Sequence, residues 1–230
     1  QYGGSALRVP LPVPLDVGES VLIAMDYVDV LPREMGGNYG LFGFFDNVMV
    51  LDEFLPTIAV YDDEGWNVEV PPPAGDWTHY DASFYLVTVS APKDLELVTS
   101  GSEVARSGGN GRQVIMLAAG PARTFYIAGS RDFVRVSKQV GDTIVNSYAL
   151  SKWEDGAHLA LEIASNAIEV FSERFGSYPY SEFDVVSTPM LALGIEYPGM
   201  TGITLREYDL DSVLYGLPAS AMMETTVPGK

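Results

Sequence analysis

The side chains best placed to do chemistry lie in Leu193-Gly194-Ile195-Glu196-Tyr197-Pro198-Gly199-Met200, where an acid stands between a glycine and a proline-glycine corner. A carboxylate on a strand edge can accept charge-assisted hydrogen bonds from a cation such as a free amino group. The bare glycine backbone beside it can pair with an extended peptide. Glu196 and Gly194 together meet the needs of a site that grips a peptide by its N-terminus. The plainer alternative is a strand-edge acid in a turn.

The other candidates are weaker. His158 and Glu162 are four apart on an expected helix, but two ligands are too few for zinc, and such a pair suits a solvated helix face. His79 falls in a loop, Asp76-Trp77-Thr78-His79-Tyr80-Asp81, and reads as a structural hydrogen-bonding partner. The acidic clusters Asp62-Asp63-Glu64 and Glu207-Tyr208-Asp209-Leu210-Asp211 could offer oxygen ligands to calcium. Neither has EF-hand spacing, and a solvated turn is the simpler reading. No G-x-S-x-G elbow, P-loop or dinucleotide glycine fingerprint is present.

In the chain that holds these residues, 47% of the 230 residues are apolar and 19% are charged. That balance belongs to a globular protein able to bury a proper core. The net charge of −18 repels nucleic acid and anionic membranes, and weakly favours cationic ligands such as peptide N-termini. Cysteine is absent, so there is no disulfide and no thiolate metal site. No apolar run reaches the length of a spanning helix. The acidic, cysteine-free, tyrosine-rich composition suits an extracytoplasmic or membrane-anchored bacterial protein.

Residues 1 to about 150 read as strands. Val21 to Val28 and Ser83 to Val89 are β-rich with partial period-two alternation, and Arg112–Leu117 and Thr124–Ala128 are shorter runs. Turn clusters separate them at 36–38, 62–65, 71–75 and 108–111. Many short strands with glycine-rich connections predict an antiparallel β-sandwich. Near residue 151 the period changes to that of a long amphipathic helix over 155–175, with Asp155 as N-cap and Gly176 as stop. Phe183–Ser187 and Gly199–Arg206 read as strands and Leu214–Val227 as a helix. One helix and two strands cannot close a core, so residues 151–230 read as the opening of a larger α/β domain.

The run around Glu196 resembles the substrate-binding strand of the zinc aminopeptidases of the membrane alanyl aminopeptidase (gluzincin) family. Their motif is Gly-x-Met-Glu-Asn, often Gly-Gly-Met-Glu-Tyr-Pro-Gly in bacterial members. Gly194 falls on the second motif glycine, Ile195 on Met and Glu196 on the amine-binding Glu, while Leu193 and Tyr197 depart from the first Gly and the Asn. Phe175-Gly176-Ser177-Tyr178-Pro179-Tyr180 resembles the family's turn after the first catalytic-domain helix. Pro56, Tyr61, Asp62 and Gly65-Trp66 resemble a stretch of its N-terminal sandwich, and Arg131-Asp132-Phe133 the strand that ends it. The cues span about residues 39 to 227 in family order.

The resemblance implies a mostly β chain: a sandwich over 1–150, then the start of a thermolysin-like catalytic domain over 151–230. It implies that Gly194, Ile195, Glu196 and Tyr197 bind a peptide substrate. Such enzymes hold zinc with a helical H-E-x-x-H and a later Glu. This chain has two His in all and no H-E-x-x-H. Ala221 to Val227 resembles the lead-in to the zinc helix, after which Pro228-Gly229-Lys230 is expected to break it. The expectation is a fragment cut before the zinc ligands. It would have no catalytic or metal residue and no cofactor of its own, with zinc and the rest of the catalytic domain in the full-length parent. The rival is a non-catalytic β-sandwich binding or scaffolding module.

Overall fold

The structure, a computed structural model, describes residues 6–35, 38–69 and 79–230. It is mostly β. The strands are β1 (Phe42–Phe45), β2 (Val48–Leu51), β3 (Tyr61–Asp62), β4 (Gly65–Trp66), β5 (Ser83–Pro92), β6 (Glu96–Thr99), β7 (Ser102–Gly109), β8 (Arg112–Ala122), β9 (Ile127–Ser130), β10 (Phe133–Val140) and β11 (Thr143–Leu150). Helix α1 (Glu154–Phe175) follows, then β12 (Glu182–Thr188), β13 (Gly194–Tyr197), β14 (Met200–Thr204), β15 (Val213–Leu214), β16 (Leu217–Pro218) and helix α2 (Ala219–Gly229).

Three sheets build the body. β1-β2-β9-β6 and β5-β8-β7 are wholly antiparallel. The third, β10-β11-β12-β14-β13, is mixed: β11–β12 and β12–β14 run parallel, and β13 forms an antiparallel edge on β14. Period-two alternation gives the central strands β11, β12 and β14 two apolar faces. Val145, Ala149, Val185 and Ile203 meet Ala157, Ala160, Ala164 and Ile168 of α1 and Met223 and Val227 of α2. Tyr148, Leu150, Val186, Tyr197 and Met200 point the other way, onto Val48, Val50, Val98 and Ala128 of the four-stranded sheet. That sheet's far face carries Met49, Leu51, Leu97 and Ile127 against Ile115, Leu117, Tyr85 and Val87 of the three-stranded sheet.

The turn chemistry is local. Gly109 and Arg112 pair across Asn110 and Gly111, both at positive φ (52° and 75°), the backbone a two-residue hairpin requires. At 62–65 the Glu64 N–H donates to Asp62 Oδ1 and Gly65 takes φ 111°, so this acidic cluster is a solvated turn. Clusters 71–75 and 36–37 lie outside the described residues.

Several expectations are corrected. Val21–Val28 is not a strand: Leu22 is 93% and Val28 89% exposed, and no described strand pairs with the run. Alternation qualifies a segment for a sheet, but only a partner strand makes it one. Helix α1 begins one residue early, with Trp153 at the N-cap position, so Asp155 lies in the first turn, where its charge favours the helix dipole. Residues 205–207 form a 3-10 turn, and 213–218 a small hairpin, before α2 starts. Pro228 lies inside α2 rather than ending it. Near a C-terminus the missing N–H removes a single helical bond, and proline's φ is already helical. The core that one helix and two strands could not close is closed by β10 and β11, which come from before residue 150. Among the described residues, no helix is long and apolar enough to cross a membrane.

Candidate functional site

β13 is four residues long, and its position in the sheet is set by both neighbours in sequence. Gly199, at φ 81°, turns the chain into β14, and the register pairs Gly194 with Ile203 and Glu196 with Thr201. Thr201 Oγ1 donates to the Ile195 carbonyl at 3.1 Å. Because side chains alternate, Gly194 and Glu196 face the helix side of the sheet, and Ile195 and Tyr197 face the four-stranded sheet. A Cβ on Gly194 would stand 3.1 Å from the Gly202 carbonyl, Ile203 Cδ1 and Lys230 Cγ alike. Glycine is what lets the strand lie this close to β14 and to the end of α2.

The four sequence candidates therefore separate into two groups. Glu196 is exposed, and its Oε2 lies 3.5 Å from the Lys230 ammonium at the end of α2. Gly194 is buried under that same corner. Ile195 is half-buried against the core behind the sheet. Tyr197 is 9% exposed, and its ring lies 4.5 Å from that of Tyr126 with 30° between planes. Tyr197 is thus a core side chain in the place where the motif carries Asn; its backbone, not its ring, is what a ligand on the outer edge of β13 would meet.

The chemistry of the corner is that of an acidic edge. β13 ends its sheet, and among the described residues no strand pairs with its outer side, the geometry that an added strand uses. A carboxylate projects beside that edge and already attracts an ammonium. A hydrogen-bonding shell holds the neighbouring segment: Arg206 donates to the Leu191 carbonyl at 2.9 Å, Thr204 Oγ1 to the Met190 carbonyl at 3.1 Å, and the Leu191 N–H to the Tyr39 carbonyl at 2.8 Å.

Helix α2 is positioned from below by a carboxyl that the sequence did not single out as such. Glu207 is fully buried and accepts from Thr226 Oγ1 at 3.1 Å, while its Oε2 is buried without a partner. Burial raises its pKa to about 7. In the sequence it stood in a cluster that reads as a solvated acidic turn; only its packing under α2 distinguishes it from Asp209 and Asp211. Asp184 was missed for the same reason. It sits 6% exposed on β12, is raised to about 7 chiefly by burial and then by Glu182, and accepts from Asn146 Nδ2 at 2.8 Å. Asn146 also donates to Glu182 at 2.7 Å and accepts from Ser137 Oγ at 2.6 Å, tying β10, β11 and β12 together.

The remaining candidates are not brought into the site. His158 and Glu162 are both exposed on α1, and His79 is exposed before β5. Tyr178 packs edge-on to Tyr180 and Phe183 and pins the corner after α1. Among the described residues no three His, Asp or Glu side chains are grouped as metal ligands. No protein-family model matches the chain, and no curated protein is detectably similar to it.

Proposed function

We propose that this chain is the N-terminal portion of a zinc-dependent metallopeptidase of the aminopeptidase type, in which Glu196 holds the protonated N-terminus of a peptide laid along β13. The observation that carries the reading is the ammonium of Lys230, 3.5 Å from Glu196 Oε2, on an exposed carboxylate beside the outer edge of β13. An amine of the substrate needs that same environment. The end of α2 lies at this corner too, and α2 is the segment that resembles the lead-in to the family's zinc helix. In this reading the four- and three-stranded sheets form the sandwich, and the mixed sheet with α1 and α2 opens a thermolysin-like catalytic domain.

Among the described residues no group of side chains fits a zinc site, and the chain's own contribution in this reading is binding and orientation. β13 offers its free main-chain groups to an extended peptide, which fixes direction and register. Glu196 then selects a free amine over a blocked one, because only the amine donates a charge-assisted hydrogen bond.

The test uses the chain with Lys230→Ala, which frees Glu196. Trialanine should shift the β13 amide resonances, N-acetyl-trialanine should not, and Glu196→Gln should abolish the difference. Equal binding of both peptides, or binding indifferent to Glu196→Gln, rejects the amine site and leaves the non-catalytic β-sandwich module.

A further inference from the structure

A polar cleft lies on the face of the mixed sheet turned away from Glu196, where that sheet meets the other two. The strand register fixes its floor. Arg135 pairs with Tyr148, Ser137 with Asn146 and Asn146 with Asp184. These side chains, and that of Glu182 two residues before Asp184, therefore share one face. Further along the same face, Leu150, Val186 and Met200 make the apolar contact with the four-stranded sheet. At the polar end the sheets do not close. A cleft of about 80 Å³ remains, with Glu182, Asp184 and Tyr148 on one side and Leu97, Leu117 and Arg106 on the other. That space is more than one water fills.

Two carboxyls meet in it. Asn146 Nδ2 donates to Glu182 Oε1 at 2.7 Å and to Asp184 Oδ1 at 2.8 Å, while Asn146 Oδ1 accepts from Ser137 Oγ at 2.6 Å. Asp184 is 6% exposed. Among the described residues, neither carboxyl takes part in any other hydrogen bond or in an ion pair. The arginine of the facing wall is engaged elsewhere: Arg106 Nη2 holds Glu103 at 2.6 Å, and its Nη1 donates to Gln113 at 2.7 Å. Two acids side by side, one of them buried, cost stability unless a cation joins them or a proton neutralises one. Burial, and after it Glu182, raises Asp184 to about 7, while Asn146 and Arg135 pull the other way. The pair lacks a close counter-ion.

We propose that this cleft binds a primary alkylammonium ion, its nitrogen shared between Asp184 and Glu182 and its carbon chain laid against Leu97 and Leu117. An ammonium brings three N–H donors and no acceptor, which suits two carboxyls that already share one donor nitrogen. In a site with little water such charge-assisted bonds are strong. A hard divalent ion fits less well. It takes six to eight oxygen ligands, and among the described residues no three Asp, Glu or His side chains are grouped as metal ligands. Glu196 projects from the opposite face of the sheet, so this cleft and the amine site stand or fall independently.

The test titrates the chain with n-butylammonium chloride at constant ionic strength and follows the Asn146 side-chain amide resonances, which report on both carboxyls. They should shift saturably with n-butylammonium and not with tetramethylammonium, which has no N–H. Asp184→Asn and Glu182→Gln should each weaken binding by about tenfold or more. Glu196→Gln should leave it unchanged, and Arg135→Gln should keep or tighten it by removing a like charge. Nα-acetyl-lysine methylamide distinguishes the sources: binding at least as tight as n-butylammonium assigns a lysine side chain, and weaker binding a free amine. Binding seen only in Arg135→Gln overturns the proposal and makes Arg135 the counter-ion of the pair. The absence of a saturable shift in both proteins, an equal response to tetramethylammonium, or binding that survives either carboxyl substitution overturns it too. Loss of n-butylammonium binding in Glu196→Gln moves the ligand to the amine site and overturns the cleft. If Asp184→Asn does not fold, Glu182→Gln and the contrast between the two cations in wild type carry the test.

Discussion

At the scale of single residues, the two sides of β13 divide the work. Glu196 is exposed and attracts a cation, whereas Tyr197 is buried and stacked on Tyr126. Conservative changes at the two positions should therefore fail differently. On the amine-site reading proposed above, Glu196→Gln in an active full-length enzyme removes a charge-assisted hydrogen bond worth about 1.5–3 kcal/mol, so roughly ten- to a hundredfold in kcat/KM should be lost on free-amine substrates. Melting temperature should not move, because the carboxylate bridges no core elements. Steady-state kinetics on free and N-blocked peptides, beside a thermal melt, read both effects. An equal loss on blocked peptides would assign Glu196 a general electrostatic role. Tyr197→Ala should instead unfold the corner: removing a buried aromatic costs about 3–5 kcal/mol, visible as a lower denaturant midpoint.

At the scale of elements, α1 is held tightly enough for helix propensity to lose to packing. Gly156 lies in its first turn, and a Cβ there would collide with the Tyr208 backbone. Ala is the better helix former by about 1 kcal/mol. A collision with main chain cannot be relieved by a rotamer change, and overpacking costs about 1–3 kcal/mol. Gly156→Ala should therefore lower the melting temperature, by a few degrees for a chain of this size. At exposed Asn166 of the same helix nothing is crowded, and Asn166→Ala should raise stability by a few tenths of a kcal/mol. If both substitutions stabilise, α1 does not press on the segment after β14.

At the scale of the whole molecule, buried carboxyls and the net charge of −18 act in the same direction. Burial raises Asp52 to about 6, Asp184 and Glu207 to about 7, and Glu53 to about 8, against ordinary values of 3.8 for Asp and 4.5 for Glu. Each folded-state value lies above the unfolded one. The folded protein thus holds protons that the unfolded chain has released, and stability falls as pH rises from about 4 to about 8. Self-repulsion among the acids adds to the fall. Glu103, lowered mainly by its hydrogen bond from Arg106, opposes it from an exposed position. Melts at fixed ionic strength should give a higher midpoint at about pH 5 than at about pH 8, with Asp184→Asn flattening the slope. A midpoint that rises with pH would mean that these carboxyls are paired or hydrated in solution.

The sequence by itself determined what depends on neighbours along the chain. The turn at Asn110-Gly111, the turn at Asp62 to Gly65, the helix ending at Gly176 and the strand runs 83–89 and 183–187, which the structure extends to 92 and to 182–188, all follow from local periods and φ preferences. The acid beside a glycine in an apolar strand was legible for the same reason. Tertiary structure decided what depends on distant partners. Alternation is the same at Val21–Val28 as in real strands, yet only a paired neighbour turns alternation into a sheet. Which sheet β10 and β11 join is set by a parallel pairing across α1, between segments far apart in the chain. Burial separates Asp52, Asp184 and Glu207 from the many solvated acids that look identical in sequence, and their raised pKa values follow from it. The same rule assigned Tyr197 to the core and left Glu196 outside: adjacent residues on a strand face opposite ways, and only the packed sheets say which way is in.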